Sequence, residues 1–207
     1  MTALHKRPPK PWPMKWIVLV IVAFVVVYTA VNLYFRKPGP GYRPYQDAQD
    51  RATTARLLNA GWQRLPLTTR RPMEKPGTDE PAAPVKRAAV GLGSDLEDKF
   101  ADKPHLLASI DHVTAPAVAT RNGEYAAYFT ASLANLKWQV GEMNLYRKDH
   151  ELVLIPAAEA LPGSGLMSRW NDSTYWISFS TTTLPPGHYE MRIVAKGPAA
   201  AWSFDLR

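Results

Sequence analysis

The chain has 207 residues, 25 Lys and Arg against 18 Asp and Glu, and no Cys. That length suits one domain with an appended segment, and the lack of cysteine excludes disulfides, thiolate zinc sites, a cysteine nucleophile and a CxxxC copper site. The formal charge is +7, yet Lys6, Arg7, Lys10, Lys15, Arg36 and Lys37 sit in residues 1–37 with no acid, leaving 19 basic and 18 acidic residues beyond; this flanking pattern suits lipid headgroups, not the clustered footprint of a nucleic-acid binder.

Residues 1–15 form a basic tail with four prolines and no periodicity, too little to fold alone. Residues 16–35, "WIVLVIVAFVVVYTAVNLYF", are twenty in a row without a charge. At about 1.5 Å per residue they reach about 30 Å, the hydrocarbon thickness of a bilayer. Trp16 marks one end, and Tyr34 and Phe35 the other, as in an aromatic belt. No A-x-A site follows, so the reading is a retained anchor, not a cleaved signal peptide. Lys6, Arg7, Lys10 and Lys15 before the span are balanced by Arg36, Lys37, Arg43, Arg51 and Arg56 after it. Orientation is therefore argued from folding capacity: a cytoplasmic tail and an external C-terminal part. Within the span, Asn32 and Tyr28 lie one turn apart on one side. They are candidates for headgroup contact or for a hydrogen bond to another transmembrane helix. No ionisable amine or carboxylate lies mid-span, which argues against ion or proton transport.

"KPGPG" then breaks the chain, and a juxtamembrane helix is expected over 44–62. Pro44 suits an early helical position. Tyr45, Ala48, Ala52, Ala55, Leu58 and Trp62 recur at three- and four-residue steps and define one face. Asp47 and Arg51 pair at i, i+4 elsewhere, and Gly61 is a stop signal. Alanine buries little area but lets another backbone approach closely. The face therefore packs either on this protein's own globular part or on a helix of a membrane partner.

Residues 63–104 read as a Pro-rich linker with a short helix. The stretch 66–90 has five prolines and few large apolar residues. Ser94 and Glu97 have capping-box spacing.

From 105 to 207 the period changes to two. "SIDHV", "YAAYFTASL", "EMNLYR", "ELVLIP", "STYWISFS", "HYEMRIVAK" and "WSFDLR" read as strands separated by turns such as "RNGE", "KDH" and "LPPG". The expected architecture is a single N-terminal transmembrane helix, a juxtamembrane helix, then a mainly-β immunoglobulin-like antiparallel sandwich. Trp138, Trp170, Trp176 and Trp202 all fall in it. Two suffice for its core, so one or two are expected at the surface as partner anchors.

Catalytic signatures are missing. There is no G-x-S-x-G, phosphate loop, dinucleotide fingerprint or haem-attachment motif. A non-enzymatic protein with no small-molecule substrate and no cofactor is expected. The one metal alternative is copper(I), which accepts thioether and imidazole ligands. Its candidates are His188, Met191, Met167 and His150. His188 and Met191, three apart on a strand, face opposite sides and cannot chelate without a bulge.

Three stretches carry a resemblance: "VIVAFVVVYTAVNLYF", the helix "YRPYQDAQDRATTARLLNAGWQ" ending in Gly-Trp, and the closing "LPPGHYEMRIVAKGPAAAWSFDLR". Together they resemble the FixH family, in which a helix leaves a single span and an "LPxGxYxxR" turn and strand close the domain. The resemblance implies a bacterial inner-membrane protein with a periplasmic domain. It further implies an accessory role in assembling cytochrome oxidases, membrane-subunit partners and a link to copper delivery.

Overall fold

The computed structural model describes residues 13–35, 44–72, 82–161 and 165–207, without the side chains of Phe35 and 44–47. The basic tail up to residue 12, and Arg36, Lys37 and Arg43, lie outside the described residues. The chain forms two separate units, Met1–Arg43 and Pro44–Arg207.

In the first unit, α1 (Met14–Phe35) has 22 residues, about 33 Å of helix. Its window from Met14 to Tyr34 is long and apolar enough to cross a membrane, and none of it is buried. A helix that is apolar all round and buried nowhere in its own protein is matched to hydrocarbon rather than to water.

The second unit opens with α2 (Pro44–Asn59). Gly61, at φ 86, ends it. The Trp62 amide donates to the Leu57 carbonyl at 2.9 Å and the Gly61 amide to Leu58 at 3.0 Å. This is a Schellman close, and its usual apolar contact is made by Leu57 and Trp62. The helix is therefore shorter than the expected 44–62, because the last three residues form its cap.

Two sheets follow. The larger has the order β1 (Gln63–Leu65), β7 (Trp138–Lys148), β8 (Glu151–Ala160), β10 (Gly187–Ile193), β11 (Ala199–Leu206) and β3 (Lys86–Ala88), with β5 (Val118–Ala119) also on β11. The smaller runs β2 (Thr68–Arg70), β9 (Asp172–Ser180), β6 (Glu124–Ser132) and β4 (Ser109–Thr114). All seven strands read from the sequence are present, and the fold is the expected sandwich behind an apolar N-terminal helix. Pairing is antiparallel except for β8 with β10 and β5 with β11. The first parallel pair has a topological cause: the chain leaves β8, crosses to β9 in the other sheet and returns as β10.

Inward residues alternate as the pleat demands: Tyr125, Ala127, Phe129 and Ala131 on β6, Tyr189, Met191 and Ile193 on β10, Trp202, Phe204 and Leu206 on β11. Rings link the sheets, with Tyr189–Phe204, Phe204–Tyr125 and Tyr125–Phe179 centroids at 5.5, 4.1 and 5.4 Å. The polar tips of these rings are satisfied. Trp202 Nε1 donates to Tyr125 Oη at 2.8 Å. The Tyr189 hydroxyl donates to the Pro185 carbonyl at 2.7 Å, which ties the "LPPGHY" turn to its strand. A tyrosine hydroxyl reaching back a few residues is the corner device of immunoglobulin-like sandwiches.

β8 departs from alternation. Leu152 and Leu154 enter the main core, while Val153 and Ile155 are buried on the outer face. The uninterrupted "LVLI" is the signature of a strand covered on both sides. The cover is a second cluster of Leu57, Trp62, Leu92, Leu96, Tyr146 and Val194, which brings α2 and α3 (Ser94–Glu97) onto the large sheet.

Two expectations are corrected here. Residues 63–104 are not a plain linker: β1 pairs with β7, β2 with β9 and β3 with β11. Three-residue edge strands rich in Thr, Lys and Arg show no period-two signal, and prolines between them mimic a linker. The capping box is also not formed. Gly93 is the N-cap, with no side-chain cap bond, and the Glu97 carboxylate instead pairs with Lys103 at 2.6 Å.

Candidate interaction site

The expected docking stripe on α2 is divided by the fold. Helical residues advance about 100° each, so Leu57 points opposite Ala48 and Ala55. Leu57 is 3 % exposed and anchors the helix, and the Thr53 hydroxyl accepts the Ala101 amide on the same inner side. Ala48, Ala55 and Leu58 face outward, Leu58 at 57 % exposure, and Ala52, about 40° round from Ala48, is half-buried. The Tyr45 side chain lies outside the described residues. Trp62 does not share the stripe: it is 1 % exposed, and Lys148 Nζ sits 5.6 Å from its ring centroid. The reason is local. Positive φ at Gly61 takes the chain off the helical screw, so the three- and four-residue count fails at the last step. Leu57 was missed by the sequence reading. The Gly61 cap held the signal, because a Schellman motif couples the residue after its glycine to the one five positions earlier.

In α1, the Asn32 side-chain amide donates to the Tyr28 carbonyl at 2.9 Å. Its donor is thus partly used within the helix, while the side-chain oxygen remains at the exposed surface. Tyr28 stacks on Phe24, with centroids at 6.1 Å.

The four metal candidates are not gathered. Met191 is fully buried in the core, while His188 is exposed on the other face and its Nδ1 lies 2.8 Å from Asp205 Oδ1, across the β10–β11 pair. His150 occupies the β7–β8 turn with its ring 5.0 Å from Tyr189. Met167 lies beyond the far end of β8, about 30 Å of strand away. It is held at that end, where the neighbouring Ser168 amide donates to the Leu136 carbonyl. Among the described residues no group of three or more His, Cys, Asp and Glu side chains could hold a metal ion.

The tryptophans sort as core and surface. Trp202 is core, Trp176 is half-buried under Arg70, and Trp138 is half-buried against His105. Trp170 is 66 % exposed and shares its loop with exposed Leu166 and Met167. Next to that loop, a cleft of about 520 Å3 opens, lined by Trp138, His105, Leu107, Leu133, Lys103 and Lys196 among others. The Glu97 carboxylate, hydrogen-bonded to Lys103, raises the pKa of that ammonium. Comparison with family models, with curated proteins and with solved structures gives no match.

Proposed function

We propose that this protein is a non-enzymatic, membrane-anchored accessory or assembly subunit of a respiratory membrane complex of the cytochrome oxidase type. It works through protein–protein contacts. In this reading α1 is a retained single span of a bacterial inner membrane, the N-terminal tail is cytoplasmic and the sandwich is periplasmic. One observation carries it: α2 spends Leu57 on its own sandwich and leaves Ala48, Ala55 and Leu58 exposed. Small side chains on an unused helix face allow close helix–helix approach of the kind found between membrane subunits.

Copper carriage gains no comparable support, because His188 and Met191 stand on opposite faces of one strand. A structural envelope scaffold does have an observation in its favour, the exposed Leu166, Met167 and Trp170 loop. The test is native-size analysis after mild detergent extraction. The wild-type chain is expected to run with an oxidase-type complex, and the Ala48→Arg/Ala55→Arg variant to run free. A wild-type chain that migrates alone refutes the subunit reading. Loss of partners on Trp170→Ser, with the α2 variant unaffected, favours the scaffold.

A further inference from the structure

The cleft at the β6–β7 and β8–β9 end of the sandwich has a composition that none of the preceding roles uses. Its floor is apolar: Leu107 and Leu133 are buried and Ala158 is half-buried. Its wall is aromatic, with the Trp138 and His105 rings 5.3 Å apart and inclined at 59°. Its rim is cationic on balance. Lys103 is held by Glu97, whereas Lys196 is exposed and makes no ion pair among the described residues. A volume of about 520 Å3 lies within the range of small-ligand pockets, which are mostly apolar with a few placed polar groups.

The cleft is also braced. The Leu133 amide donates to the Asn171 carbonyl at 3.0 Å and the Lys196 amide to the Leu107 carbonyl at 2.8 Å, so floor and rim are tied together through backbone bonds. We propose that this cleft binds a carboxylate with an apolar body, either a free aryl- or alkyl-carboxylate or the same group at a peptide C-terminus. The body stacks on Trp138 over Leu107 and Leu133, and the carboxylate meets Lys196. A cationic head on the same body would meet Lys196 with like charge, so the site discriminates by charge as well as by shape.

The test uses the full chain, labelled with 5-fluorotryptophan, in lipid nanodiscs, with Trp138 assigned from the Trp138→Phe variant. Titration with 3-phenylpropionate is expected to shift the Trp138 fluorine signal saturably, leaving Trp170 and Trp202 in place. 3-Phenylpropan-1-amine and propionate are expected to give no saturable shift. Lys196→Glu should weaken binding at least 5-fold, and Ala134→Trp, which fills the cleft from an exposed rim position, should abolish it. Acetyl-Gly-Phe separates the sources: tighter binding than 3-phenylpropionate assigns the site to a chain terminus, and weaker binding assigns it to a free acid. No saturable shift, an equal response to the amine, or a uniform shift of all tryptophans overturns the proposal. Because this outcome does not depend on α2, it is independent of the subunit reading.

Discussion

Leu57 and Leu58 are chemically identical neighbours with opposite surroundings. One sits among Trp62, Tyr146 and Val153, and the other is largely in solvent. Leu57→Ala removes buried methyl groups and leaves a cavity, so denaturant unfolding should show a loss of about 2–5 kcal/mol. Leu58→Ala should stay within about 0.5 kcal/mol while weakening partner capture. Equal losses would mean that α2 is not seated as described. Burial also raises the hydroxyl pKa of Tyr146, Tyr175 and Tyr189 above the usual 10.0, with Arg64, Arg71 and Arg147 respectively opposing that shift. A raised folded pKa means that the native state holds its proton longer than the unfolded chain. The associated stability is complete below about pH 10 and is lost as pH rises through the folded values. Unfolding free energy should therefore fall steeply above about pH 10, and less so in Tyr175→Phe, as denaturant titrations between about pH 9 and 11 would show.

Elements differ in how much of their stability is local. α2 is a 16-residue helix, marginal alone in water, held by its Schellman cap and by the large sheet. β1, β2 and β3 are too short to persist without partners; each edges a longer strand, β7, β9 or β11. The amides that these pairings engage in 63–70 and 86–88 should resist hydrogen exchange. Exchange at the rate of an unstructured chain across 63–72 would show that this tract is a linker after all.

At the level of the whole molecule, the chain divides into two compact units, Met1–Arg43 and Pro44–Arg207, and among the described residues only the first holds a helix long and apolar enough to cross a membrane. Residues 44–207 carry two sheets, both clusters and α2. A chain starting at Pro44 should therefore be soluble without detergent and should unfold in one cooperative transition within a few degrees of the full-length domain. Aggregation or a non-cooperative melt would show that the sandwich depends on the N-terminal unit.

Local pattern by itself determined the apolar helix, the Gly61 stop and the seven long strands. Each rests on nearest-neighbour physics: an uncharged run of membrane length, a glycine that accepts positive φ, and alternation matched to the pleat. The LVLI run of β8 reads with the period-two strands, and the structure corrects that by burying both of its faces. Tertiary structure alone decided the rest. It chose Leu57 over the Ala48–Ala55 face, turned Trp62 inward, made β8 and β10 parallel neighbours and drew the Pro-rich tract onto both sheet edges. It also brought Lys196, His105 and Trp138, from three distant stretches, around one cleft. Those outcomes depend on which surfaces meet across long loops, and no short window of residues encodes that.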